Sequence, residues 1–349
     1  MNLSYQRFND INLDNPFFNS LKMDYNEFEE WFIKKAAEFA YVFAADDGSI
    51  QGFLYLKIEN EALEDVDPPL PPAKRVKVGT LKINPHGTRL GERFLKKIFD
   101  HAVTQNADEI YVTVFEKHDA LVKLFKRYGF RQKATKTTEN GTELVLVKSM
   151  SNEGKSILGR YPLVKVGDQS IYLLSVYPQW HTRLLPDSIL KNEDASIVQD
   201  VSHTNSIHKV YLAAMQGMED LNAGDVVLIY RTTDGAGPAH YRSVATSVCV
   251  IEEYRNIYSF SSKEDFITYC SKYSVFEENE LDKFWVRKKY PHILKFTYNF
   301  ALPKRVTRGK MIEDLNFIAD DYWGFMKLSP EQFRSVIRAG ELNEGLIIN

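Results

Sequence analysis

Between Arg75 and Glu92 the chain changes its hydrophobic period in a way that few architectures accommodate. Arg75–Ile83 alternates as a strand, Asn84-Pro85-His86-Gly87 interrupts it, and Leu90, Phe94, Leu95, Ile98 and Ala102 then recur on one helical face. A strand that feeds a helix through a short glycine-containing turn belongs to layered α/β folds. The junction also gathers chemistry. At the start of a helix four N–H groups lack intrahelical partners and the dipole is positive, so the turn 86–92 can hold a pyrophosphate by its backbone. The same glycines serve equally well in an ordinary tight turn that needs their dihedral freedom.

The neighbouring segments repeat the alternation. A helix is expected over 25–39, and strands over 41–45 and 50–58 are joined by the turn Asp46-Asp47-Gly48. The acidic stretch 65–72, with four prolines, has to be a loop, because proline donates no hydrogen bond and restricts the residue before it. Glu109–Val114 reads as another strand, and 119–128 as a short amphipathic helix stopped by Gly129. A hairpin closes the series, with strands 131–137 and 143–147 around Asn140-Gly141.

At 349 residues the chain is too long for one ordinary core at roughly 100–200 residues per domain. The polar, aperiodic stretch 149–154 marks the seam, giving a first domain at 1–150, a linker at 151–160 and a second domain at 161–349. Beyond the seam the texture is β-rich, with strands expected at 171–176, 209–213, 226–230, 241–251 and 292–300. Asn222-Ala223-Gly224-Asp225 reads as a turn into a central strand. Ser329-Pro330-Glu331-Gln332 reads as a capping box that opens a closing helix, which Gly340 stops.

With 44% hydrophobic and 26% charged residues the chain is neither disordered nor low-complexity. No apolar run approaches the roughly 20 residues of a bilayer span, and the polar start Met1 to Arg7 has no secretory core, so a cytoplasmic protein is expected. Cys249 and Cys270 are too few for a disulfide framework and read as buried thiols, and His203 and His208 have no third ligand, so no metal is expected. Charge is uneven. Residues 24–67 hold twelve acids and three bases, 74–97 one acid and eight bases, and 283–310 nine bases and no acid.

Taken in order, the hairpin, strand, pyrophosphate-type turn, helix, strand, short helix ending in Tyr128-Gly129-Phe130 and final hairpin resemble the Gcn5-related N-acetyltransferase (GNAT) family over nearly all of 1–150. The family's turn pattern is Arg/Gln-x-x-Gly-x-Gly/Ala; His86-Gly87-Thr88-Arg89-Leu90-Gly91 keeps the final Gly and departs at His86 and Arg89. The resemblance implies acetyl-CoA as cofactor, held by His86, Gly87, Thr88, Arg89, Leu90, Gly91 and Glu92, with Leu81, Ile83 and Asn84 beside the pantetheine arm. It also implies a general acid, commonly a Tyr in the short helix. Here Leu124-Phe125-Lys126-Arg127-Tyr128-Gly129-Phe130 puts Phe125 at that place, which leaves Tyr128, Glu116 and His118 as catalytic candidates. Each also has a plain structural role open to it, Tyr128 in packing and the other two as solvated loop residues.

In the second half Tyr177, Trp180, Arg183, Arg231, Arg242, Trp285 and Arg287 bring aromatics and arginines to strand ends and loops, a combination that suits single-stranded nucleic acid. Aromatic residues of a small barrel equally form its core. The strand order, the segment 223–230 and the basic stretch ending in Leu302-Pro303 resemble the PUA-like superfamily, which includes ASCH and EVE domains. That resemblance implies a small β-barrel with helices and an RNA or modified-base pocket. The expected fold class is therefore α/β (α+β), a GNAT-type mixed sheet flanked by helices followed by a PUA-like barrel. The expected function is acetyl transfer to an amine, with an RNA-related substrate such as tRNA or an aminoacyl-tRNA. The alternatives are a non-catalytic acyl-CoA sensor that binds nucleic acid, and a protein N-acetyltransferase whose acidic 24–67 region attracts a Lys-rich substrate.

Overall fold

The computed structural model describes residues 2–84, 90–151, 154–188 and 206–349. They divide into two compact units, Met1–Arg160 and Tyr161–Asn349.

The first unit contains β1 (Asn2–Arg7), α1 (Asn19–Asp24), α2 (Phe28–Lys34), β2 (Phe39–Ala44), β3 (Ile50–Glu59), β4 (Arg75–Ile83), α3 (Leu90–Thr104), β5 (Glu109–Val114), α4 (Asp119–Arg127), β6 (Arg131–Thr138), β7 (Gly141–Ser149) and α5 (Ile157–Arg160). The strands form one seven-stranded sheet in the order β1-β2-β3-β4-β5-β7-β6. Neighbours are antiparallel except β4 and β5, which run parallel with α3 as their crossover.

Packing explains these elements. In α3 the predicted face, Leu90, Phe94, Leu95, Ile98 and Ala102, is buried. A second cluster, in which Phe8, Phe18, Phe28, Phe32, Phe53 and Tyr55 meet, joins α1 and α2 to β3. The helix expected over 25–39 is shorter, α2 at Phe28–Lys34; α1 ends before it at Asp24, and Tyr25 between the two is extended (φ −135°). Tyr25 gives its hydroxyl to Glu143 Oε1 at 2.7 Å, a tertiary bond that competes with helix continuation. The stretch 151–160, expected as a linker, falls with the first unit and includes α5.

The second unit contains β8 (Val164–Lys165), β9 (Ile171–Val176), α6 (Pro178–Leu184), β10 (His208–Ala213), β11 (Val226–Arg231), α7 (Ala239–Arg242), β12 (Val244–Asn256), α8 (Lys263–Cys270), α9 (Glu278–Arg287), β13 (His292–Thr307), α10 (Arg308–Asp314), β14 (Phe325–Leu328), α11 (Pro330–Ala339) and β15 (Ile347–Ile348). Six strands form a sheet in the order β10-β13-β12-β11-β9-β14, and β8 pairs with β15.

Two strands differ from expectation. Residues 239–242 form α7 and β12 starts only at Val244. β13 runs on to Thr307 through Pro303, because its pairing passes from Ser247↔Ala301 to Ala245↔Val306 and leaves the proline in the bulge, where no ladder donor is needed. The capping box at Ser329 and Gln332 is formed, and Cys249 and Cys270 are buried thiols. Among the described residues no helix is long and apolar enough to cross a membrane.

Candidate active site

β4 and β5 are paired for only part of their length. Their register runs from Arg75↔Glu109 to Val78↔Val112 and stops there, although β4 continues to Ile83 and β5 to Val114. Arg75 clamps the closed end. Its side chain is 1% exposed and donates to Glu109 Oε2 at 2.7 Å, Glu61 O at 3.3 Å and Pro71 O at 2.6 Å. Past Val78 the strands part, and a cleft of about 320 Å³ opens between them, lined by Val78, Gly79, Thr80 and Leu81 on one side and Val112, Thr113 and Val114 on the other.

Gly79 sits at the opening. The β3–β4 register slips between Tyr55↔Thr80 and Leu56↔Val78, so Gly79 is the extra residue of a β-bulge. A Cβ at Gly79 would stand 2.6 Å from the Tyr55 ring, which only a glycine avoids. The β4 backbone beyond the bulge has no strand partner on its β5 side among the described residues, so a ligand that offers amide groups can complete the ladder.

The cleft continues under α1 and α2. Tyr25, Phe28 and Trp31 form one wall, Tyr55, Lys57, Glu59 and Lys77 the floor, and His118, Leu121 and Lys136 the far side. Three tyrosines around it donate to carboxylates: Tyr25 to Glu143, Tyr55 to Glu38 and Tyr111 to Glu59. Burial first, and then the accepting carboxylate, raises all three phenols above the usual tyrosine value, so they remain donors at neutral pH. Burial pushes the Glu59 carboxyl up, but the Tyr111 hydrogen bond and the Lys77 and Lys57 ammoniums outweigh it and hold the group below the usual carboxylate range.

The three catalytic candidates separate clearly. His118 lines the cleft, with its side chain 44% exposed and Nε2 3.2 Å from Asp24 Oδ2. Asp24 is held on its other oxygen by Lys117. With the Nε2 proton given to Asp24, the Nδ1 lone pair is the one left to take a proton. Glu116 is exposed and not among the cleft-lining residues. Tyr128 is fully buried with its ring beside Phe99, and Phe125 is buried against Phe130. The end of α4 therefore faces the core, the packing alternative for Tyr128.

Of the cofactor candidates, Leu81 lines the cleft and Ile83 ends β4, paired with Gly52. Asn84 donates its backbone N–H to Gln51 O at 2.9 Å. Leu90 and Glu92 are buried in the first turn of α3, where Glu92 Oε1 lies 3.5 Å from Arg127 Nη1. A Cβ on Gly91 would meet Leu124 Cδ2, the end of a side chain on α4, at 2.8 Å. His86, Gly87, Thr88 and Arg89 lie outside the described residues. Sequence reasoning missed Asp24, Tyr25, Glu59, Lys77 and Gly79. Only Gly79 carried a signal, as a lone glycine inside a β-branched strand.

In the second unit most of the predicted contact residues are engaged within the fold. Arg231 is 3% exposed, Arg242 forms a two-pronged pair with Asp234, and Arg183 donates to Val275 O at 2.6 Å while covering Trp180. Trp180 packs on Phe276, and Trp285 packs on Phe266 with Lys288 over its ring. Tyr177 and Arg287 are exposed. The unit also holds a buried chain of hydrogen bonds, Tyr298 to Ser188 to Ser247 to Thr246 to His181. His181 is pulled down to about 3 by burial first, then by Arg231 and Arg305.

Residues 5–130 match the model of the acetyltransferase (GNAT) family. Among solved structures, the chain is similar to Naa20 of Chaetomium thermophilum in complex with a bisubstrate analogue, at 14% identity over 43% of this chain and 87% of that one, TM-score 0.31. It is also similar to a spermidine N-acetyltransferase SpeG variant from Vibrio cholerae, at 15% identity over 42% and 94%, TM-score 0.31. A variant of ZmASCH from Zymomonas mobilis aligns at 8% identity over 50% and 99%, TM-score 0.31. No curated protein matches the sequence.

Proposed function

We propose that the first unit, a GNAT N-acetyltransferase domain from a family that uses acetyl-CoA, acetylates an amine in the cleft between β4 and β5, with His118 as the base. The single observation that carries this reading is the parting of the strands after Val78 and Val112, which leaves strand backbone and a cavity at one place. Acetyl-CoA supplies the acetyl group as a thioester, so that nitrogen gains the acyl carbon as the carbon–sulfur bond breaks; a protonated amine gives up two protons in all, one to the base before attack and one that balances the proton gained by sulfur.

The unpaired backbone of β4 and the Gly79 bulge are the groups that fit the amide-bearing arm. An amine arrives protonated at neutral pH and has to lose a proton before it is nucleophilic. His118 Nδ1 accepts that proton, and Asp24 orients the ring and stabilises the imidazolium formed. Tyr25, Phe28 and Trp31 line the same cleft and give the acceptor an aromatic surface.

An RNA-related acceptor selected by the second unit is the finer reading of the sequence. It is supported by the exposure of Tyr177 and Arg287, whereas Arg231 is buried and Arg242 is paired with Asp234. The test is to measure acetyl-CoA binding by calorimetry. Labelled acetyl-CoA is then offered with separate pools of amino acids, peptides, polyamines, uncharged RNA and charged tRNA. Binding and label in any pool support transfer. Binding without label in any pool supports the sensor alternative, and no binding removes the reading.

A further inference from the structure

Of the acidic segment 24–67, Glu27 and Glu59 line the cleft, and several of the other acids are already partnered. Glu38 is taken by Lys35 and Tyr55, Glu59 by Lys57, Lys77 and Tyr111, Asp65 by Lys136, Asp24 by Lys117 and His118, and Glu29 by Lys22. The charged side chains that line the cleft are Lys35, Lys57, Lys77 and Lys136 against Glu27 and Glu59; Lys35 and Lys136 are already paired with Glu38 and Asp65, so the local excess of positive charge lies at Lys57 and Lys77. Glu27 is also held, on both oxygens, by Asn140 Nδ2 at 3.0 and 2.9 Å.

On the floor the excess is focused. Lys57 Nζ and Lys77 Nζ share the one oxygen Glu59 Oε1, at 3.1 and 3.6 Å, while Tyr111 occupies the other oxygen. Two ammoniums on one carboxylate oxygen leave one positive charge uncompensated there. Lys77 immediately precedes Val78, the last residue before the strands part, so this open charge lies next to the proposed point of transfer.

We propose that the acceptor is an amine bearing a carboxylate close to it, received by Lys77 and Lys57, with the rest of the molecule against Tyr25, Phe28 and Trp31. This rests on the transfer reading above and names its substrate class. The chemistry is shared by a free α-amino acid and by a peptide whose first residue is Asp or Glu. A polyamine or a Lys-rich peptide would bring further ammoniums beside Lys57 and Lys77, which already share one carboxylate.

The test uses the full chain. Calorimetry with acetyl-CoA comes first, then acetylation rates for phenylalanine and glutamate, a peptide beginning Asp-Glu, an N-terminally blocked lysine peptide, and spermidine. Calorimetric binding of the preferred acceptor, without acetyl-CoA, gives a readout independent of turnover. The carboxylate-bearing acceptors are expected to win, and which of the two kinds wins identifies the source. Lys77→Gln should raise KM and weaken acceptor binding about tenfold with kcat little changed, Lys77→Arg should restore both, and acetyl-CoA affinity should not move in either. Preference for spermidine or the lysine peptide overturns the inference and leaves transfer standing, as does an unchanged KM in Lys77→Gln. Failure to bind acetyl-CoA overturns both.

Discussion

In the first unit β4 shares four residue pairs with β5 before the two part, whereas in the second β12 pairs with β11 on one side and with β13 on the other at Val244, Ala245 and Ser247–Val250, only Thr246 standing in a bulge. One sheet withholds backbone hydrogen bonds and gains a cleft. The other completes its ladder and sinks polar side chains beneath it, where they satisfy one another: Thr246, Ser247, Ser188 and Tyr298 are joined by hydrogen bonds of 2.5–3.2 Å. The difference teaches where substitutions should be felt. Cleft residues such as His118 are partly exposed and can be lost without loosening the fold, while the buried chain is held in place by contacts that cannot be replaced by water.

The sharpest way to break this contrast is His118→Ala. Transfer should fall about 100-fold or more, the usual loss for a general base, while Tm stays within about 1 °C because the ring is half outside the fold. Comparing rate and thermal melts checks it. A fall in Tm as large as that of a core variant would erase the distinction.

The next effect is one of pH and belongs to the second unit. Folded His181 protonates only at about 3, against 6.5 for an ordinary histidine, so between these values the unfolded chain binds a proton that the native chain refuses. Its contribution is complete above about pH 6.5, and stability should drop as pH falls through that window by about 1.4 kcal/mol per unit. Urea midpoints at successive pH values, compared with those of His181→Gln, isolate the slope; the variant should lack it.

Thr246→Val should cost about 1–3 kcal/mol, because it keeps the shape yet strips His181 Nε2 of its partner at 2.8 Å. Smallest of all, Gly91→Ala should cost under about 1 kcal/mol, since the atom met at 2.8 Å is the end of the Leu124 side chain, which can rotate away. Denaturant unfolding reads both.

The elements were far more legible in the sequence than the site. β4, β5 and β9 lie where alternation put them, because β-branched residues that pack on both faces of a sheet announce themselves locally. Residues 25–39 misled for the converse reason. A helical pattern spans them, but Tyr25 is drawn out of helix by Glu143, a partner 118 positions away. The end of α4 shows what spacing cannot decide: Tyr128 looked like a stand-in for the acid lost at Phe125, and both rings face the core.

His118 could be named from the sequence as a loop residue after β5, but its partner Asp24 is 94 positions distant. The parting of β4 from β5 is a relation between two strands, and neither strand's own residues report where the pairing ends. Gly79 was the one local trace of it.

That parting is also the feature most open to direct measurement. Hydrogen–deuterium exchange should be followed at the amides of 79–83 and, as an internal reference, at those of β12, with and without saturating acetyl-CoA. Slowed exchange in the β4 segment on adding the ligand, with β12 unchanged, is the predicted result. Acetyl-CoA that binds by calorimetry yet leaves the 79–83 amides exchanging as before would contradict the claim that this opened strand is where it is held.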